Sequence, residues 1–140
     1  MTRRSLGRLV GWGLIVVLAL AASPLRGATE PVVVPVAEDG VQRITLVGGS
    51  YYFEPAHLRV RVGVPVELRA RRVYGLTPHN LVIRAPAWGL DIDLRLDTEP
   101  QAIRFTPEVP GRVDFYCDER LLWLPSHRDR GMVGVLEVVE

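Results

Sequence analysis

Three scarce residue types meet in one window, Phe115 to Met132 (FYCDERLLWLPSHRDRGM). It holds the single cysteine of the chain, Cys117, one of three histidines, His127, and one of two methionines, Met132. Nine residues separate Cys117 from His127, and four separate His127 from Met132. A thiolate, an imidazole and a thioether form a soft donor set, and copper in electron transfer takes two imidazoles, one thiolate and a weak axial thioether. The thiolate suits both oxidation states, the imidazoles hold Cu(II), and the thioether favours Cu(I). The second imidazole must come from His79 or His57. His79 lies in TPHNLVI, residues 77–83, where Pro78 limits the backbone and an apolar run anchors the side chain. His57, in PAHL near a turn, reads as a solvated or capping residue. The expected ligands are His79, Cys117, His127 and Met132, around one copper ion.

Residues this far apart need strands to bring them together. From Val41 the chain alternates apolar and polar residues in short runs split by turn signals. Strands are expected over 42–47, 58–62, 66–70, 80–84, 91–96, 101–105, 112–117 and 133–139. Gly48-Gly49-Ser50 and Gly63-Val64-Pro65 read as turns. Helical periodicity is absent outside the N-terminal segment. Seven or eight short strands in about 110 residues predict an all-β, antiparallel sandwich with Greek-key crossings. Val113, Phe115 and Cys117 share one face of their strand, so Cys117 points inward at the strand end, at one pole of the sandwich.

The first 28 residues differ from the rest. Arg3, Arg4 and Arg8 precede an uncharged run of fourteen residues, Leu9 to Ala22. A basic start, a short apolar core and small residues after it read as a secretory signal peptide, cut between residues 21 and 28. The run falls short of the ~18 residues a membrane span requires; the other reading is an uncleaved N-terminal anchor, the one case in which the membrane is a partner. Residues 29–40 read as an extended lead-in and 41–140 as the copper-binding domain. The net charge of +1 argues against a nucleic-acid partner. Removal of the leader leaves 13 or 14 arginines against 16 acids, about −2 to −3. Export to a periplasmic or extracellular compartment leaves Cys117 with no internal disulfide partner, so it must be buried or ligated.

The pattern His79-Asn80, Cys117, His127, Met132 resembles the cupredoxin family of blue copper proteins, and the likeness covers roughly residues 41–140. Phe53-x-Pro55, Leu58-x-Val60 and Gly63-x-Pro65-Val66 are similar to the early strands of plastocyanin-like domains. Gly111 before Phe115-Tyr116-Cys117 and the closing Gly131-Met132-Val133-Gly134 agree. The resemblance implies a cupredoxin-like Greek-key β-sandwich with one type 1 copper, an exported electron carrier and not an enzyme. It also implies that Asn80 ties its strand to the cysteine loop. The nine-residue interval departs from the two to four of small blue copper proteins and is more like the copper domains of nitrite reductases and multicopper oxidases. Leu121, Leu122, Trp123 and Leu124 in that loop either pack over the sandwich end or dock a partner.

Other chemistries fit less well. A cysteine protease leaves Met132 unexplained, structural zinc prefers more cysteine or histidine, and a binuclear copper centre needs two bridging thiolates. Two other roles share the ligands or the fold: a periplasmic copper-handling carrier or resistance protein, and an accessory module of a respiratory complex. A rearranged enzymatic site with Glu54 in place of Met132 is a lesser reading. Asp118-Glu119-Arg120 and Arg128-Asp129-Arg130 are expected to be solvated, and Tyr51 carries no signal. Redox proteins or a respiratory complex are the expected partners.

Overall fold

The computed structural model describes residues 29–140; the signal peptide or anchor expected over 1–28 lies outside the described residues. Ten strands form: β1 (Val32–Val33), β2 (Gln42–Gly49), β3 (Tyr52–Glu54), β4 (His57–Arg61), β5 (Val66–Arg72), β6 (Asn80–Ala85), β7 (Leu90–Arg95), β8 (Gln101–Phe105), β9 (Gly111–Tyr116) and β10 (Val133–Val139). A 3₁₀ turn, Pro86–Trp88, joins β6 to β7. All eight expected strands are present, with ends shifted by two residues at most. Among the described residues no helix is long and apolar enough to cross a membrane.

The strands make a two-sheet sandwich. One sheet runs β1-β4-β10-β9-β6-β7 and the other β3-β2-β5-β8. Alternation in each strand supplies one face of the core: Leu58 and Val60 from β4, Leu81 and Ile83 from β6, Phe115 from β9, and Leu136 and Val138 from β10 meet Leu46, Phe53, Leu68 and Ala70 of the second sheet. Phe53 and Phe115 meet edge to face across the layers, with ring centroids 5.3 Å apart.

Two features correct the sequence reading, and a third extends it. The sheets are mixed, not antiparallel: β1/β4, β4/β10 and β2/β5 pair in parallel. Successive strands such as β4 and β5 lie in different sheets, so strands running the same way become neighbours. Gly48 and Gly49 belong to β2, and the turn falls at Ser50–Tyr51. They are glycines for close approach, not for turning. A Cβ on Gly48 would lie 3.1 Å from Leu96 Cδ1 and 3.2 Å from the Met132 methyl, and one on Gly49 would overlap the Tyr52 ring. The lead-in contributes β1, Val34 enters the core, and the Val34 N–H donates to the Arg59 carbonyl at 2.9 Å.

Candidate metal centre

Register builds the site. Val133 of β10 pairs with Tyr116 of β9, which pairs with Val82 of β6. The start of β6, the end of β9 and the start of β10 therefore share one pole. His79 immediately precedes β6, Cys117 immediately follows β9, and Met132 immediately precedes β10. The histidine backbone is fixed from the other side, where the His79 carbonyl accepts from the Leu96 N–H at 2.8 Å.

His127 comes from the loop between β9 and β10. The Ser126 N–H and hydroxyl donate to Asp129 Oδ2 at 3.0 and 2.7 Å, and the Asp129 N–H returns a bond to Ser126 Oγ at 3.2 Å. This reciprocal pairing works as a capping box does. It holds the turn that carries His127. Gly131, at φ 96, reverses the chain where a side chain would be strained. Backbone bonds then lace the loop together: Cys117 N–H to the Met132 carbonyl (3.1 Å), Met132 N–H to the His127 carbonyl (2.9 Å) and His127 N–H to the Glu119 carbonyl (2.9 Å).

Three donor atoms converge. The Nδ1 atoms of His79 and His127 are 3.1 Å apart, and the Cys117 sulfur lies 3.4 Å from His127 Nδ1 and 4.0 Å from His79 Nδ1. Donors that share one ion at about 2.0 to 2.3 Å must themselves be about 3 to 4 Å apart, so these residues fit a single small cation. All three side chains are buried, with His79 3%, Cys117 0% and His127 5% exposed. Two imidazole nitrogens and a sulfur at these distances share hydrogen bonds when protonated, and offer three lone pairs to one cation once their protons are lost.

Burial sets the protonation of the metal-free site. It pushes the His79 pKa down to about 4, with His127 and Arg72 adding to the effect. Burial also lowers His127; Glu119 opposes this and Arg130 assists it. The Cys117 thiol is pushed up by burial, against the pull of the Asn80 and Glu119 N–H groups. The resting site thus holds neutral imidazoles and a protonated thiol, which must lose its proton to bind a metal.

Asn80 does tie its strand to the cysteine loop. Its side-chain NH₂ donates to Asp118 Oδ1 at 2.7 Å and Asp93 Oδ1 at 2.8 Å, and its Oδ1 accepts from the Asp118 N–H at 3.0 Å. Its backbone N–H points at the Cys117 sulfur, 3.4 Å away. Met132 is fully buried at the same pole, and its methyl faces Gly48 of the opposite sheet. Glu54 is exposed in β3 and is not in the His79–Cys117–His127 cluster. His57 is also outside it, but is half-buried instead of solvated: Nε2 is 3.3 Å from Glu137 Oε2 and Nδ1 is 3.3 Å from the Thr29 carbonyl. Its proximity to Glu137 is an ion-pair distance rather than a well-formed hydrogen bond.

The loop leucines stand outward. Leu121, Leu122 and Trp123 are 64, 70 and 86% exposed, and Leu124 is 40% exposed. They do not pack over the sandwich end. Leu121 shares a cleft beside His127 with Leu76, Thr77, Pro78 and Arg120. The flanking charged triplets are not merely solvated: Asp118 orients Asn80, Asp129 caps Ser126, and the Arg128 guanidinium lies 4.0 Å from the Tyr116 ring centroid. Sequence reasoning missed Tyr51, whose ring meets His127 edge-on with centroids 5.1 Å apart. Nothing in its local sequence marks it, because the contact is made between the two sheets.

No family model matches the chain, and no curated protein matches it. Solved structures do. The metal-binding domain of the Cu(I)-exporting P-type ATPase CopA of Streptococcus pneumoniae D39, with Cu(I), is 26% identical with a TM-score of 0.61, over 81% of this chain and 100% of that one. A copper binding protein in its apo form is 18% identical with a TM-score of 0.58, over 80% of this chain and 100% of that one. Auracyanin B is 18% identical with a TM-score of 0.51, over 70% of this chain and 88% of that one. Strand order, sheet pairing and these likenesses agree that the chain is a cupredoxin-like β-sandwich.

Proposed function

We propose that this protein binds one copper ion of type 1 character through His79, Cys117, His127 and Met132, and that it is an exported carrier of single electrons and not an enzyme. One observation carries the reading: two imidazole nitrogens and the lone thiol converge within 4.8 Å in a buried pocket at a sandwich pole. When bound, copper supplies a Cu(II)/Cu(I) couple. The residues supply the rest. Two sheets locked by a shared core keep the donors in place in both oxidation states. The Asn80 N–H aimed at the Cys117 sulfur favours the thiolate over the thiol. Burial of all four side chains keeps water out. The cleft beside His127, with the exposed Leu121–Leu124 segment next to it, is the proposed contact surface for a redox partner or a respiratory complex.

A second reading, copper handling, has its own observation. The 26% likeness is to a domain of a Cu(I) exporter, bound to Cu(I). The visible spectrum of the copper-loaded protein, with and without ascorbate, separates the two. An intense band towards the red that bleaches on reduction and returns on oxidation supports electron transfer. A colourless protein that holds one Cu(I) and cycles poorly supports handling. Failure to hold copper rejects both and leaves the accessory module.

A further inference from the structure

Tyr51 is a residue the copper reading does not use. It occupies the second position of the two-residue turn between β2 and β3, at φ 65. Glycine is the residue such a position prefers, because a Cβ is strained there. A tyrosine in that place needs a side-chain reason. Its ring stands edge-on to the His127 imidazole at 85°. Its hydroxyl accepts a hydrogen bond from Arg130 Nη1 at 3.1 Å, and the Arg130 guanidinium carbon lies 4.9 Å from its ring centroid. Tyr51, Arg130 and His127 line one small cleft with Thr77, Leu121 and Pro125. The phenol thus reaches from the second sheet over a histidine supplied by the first.

We propose that Tyr51 is a positioning residue for His127: its ring, anchored by Arg130, fixes the imidazole and closes its solvent side, so that it slows release of the bound metal. The strained turn is held because the ring is held. The inference rests on the copper reading for its consequence, but the clamp itself is a property of the metal-free protein.

The test uses Tyr51→Gly, which relieves the turn and removes the ring, and Tyr51→Phe, which keeps the ring and loses the Arg130 bond. In the metal-free protein, the rate of carbethoxylation of His127 by diethyl pyrocarbonate is read by peptide mass spectrometry. In the loaded protein, Cu(I) release is timed into excess chromogenic chelator. Tyr51→Gly is expected to keep its melting temperature while both rates rise about 10-fold, the lower end of what loss of a ligand's orienting partner costs. Tyr51→Phe is expected to fall between. Should Tyr51→Gly fold poorly, Tyr51→Asn, which tolerates the same φ, replaces it. Unchanged carbethoxylation in the folded variant overturns the clamp. If the unsubstituted protein holds no copper, the copper reading fails, and carbethoxylation alone still decides the clamp.

Discussion

Binding of Cu(I) should cost the protein about one proton, and the pH dependence of affinity measures it. The thiol of Cys117, raised by burial, is protonated at neutral pH and must be a thiolate when ligated. Lowering the pH from 7.5 to 5.5 therefore weakens binding by about 100-fold through Cys117 alone, about 2.7 kcal/mol. An ordinary imidazole, with a pKa near 6.5, would add about 10-fold over the same interval. His79, lowered to about 4, adds almost nothing, since it carries no proton to lose across this range. His127 is lowered in the same direction and adds less than an ordinary imidazole. The sign is that of a site whose free form binds more protons than its loaded form, so affinity falls as pH falls. The assay is competition against a Cu(I) chelator of known pH dependence at half-unit steps. A loss near 10,000-fold, that of a thiol and two ordinary histidines, would refute the argument that burial has already stripped the imidazoles. No pH dependence at all would refute Cys117 as a ligand.

Asn80→Ala removes three side-chain hydrogen bonds and strands the Asp118 N–H, so denaturant unfolding should show a loss of about 2 to 3 kcal/mol. Gly134→Ala puts a Cβ into the Phe115 ring and 2.8 Å from the Ala56 carbonyl; overpacking against rigid backbone should cost about 3 kcal/mol, read as a lower denaturation midpoint. Glu67 is held below the ordinary carboxylate range by Arg69 first, with Arg104 assisting. A depressed carboxylate stabilises the fold above its unfolded pKa of about 4.3 and loses that contribution as pH falls through its folded value. Glu67→Gln should therefore flatten the acid limb of a stability–pH curve.

The strands were legible because strict alternation, as in Leu58-Arg59-Val60, reports a half-buried sheet directly. Their partners were not. Parallel pairing of β2 with β5 depends on crossovers between sheets, and no local pattern encodes which sheet a strand joins. Gly48-Gly49 looked like a turn because sequence cannot tell a glycine that bends from one that makes room for Leu96, Met132 and Tyr52. At the site, scarcity was the signal: one cysteine and three histidines leave few combinations, and His79, Cys117 and His127 do meet. Asn80 was legible through the family likeness. Tyr51 was not, because its role comes from a contact 76 residues away along the chain, with His127.

The lacing of the loop from Cys117 to Met132 has a consequence for descent. The loop is closed at its base by the Cys117–Met132 backbone bond, and its far part is held by its own capping turn. Length between those anchors is nearly free, since each doubling of a flexible loop costs only about 0.6 kcal/mol in closure entropy. Insertions and deletions between Arg120 and Pro125, beyond the Glu119 carbonyl that holds the His127 N–H, can therefore accumulate without disturbing the pole beneath. The segment is an interchangeable cassette: a lineage can exchange its outer surface, and with it the molecules it meets, while inheriting the same buried chemistry.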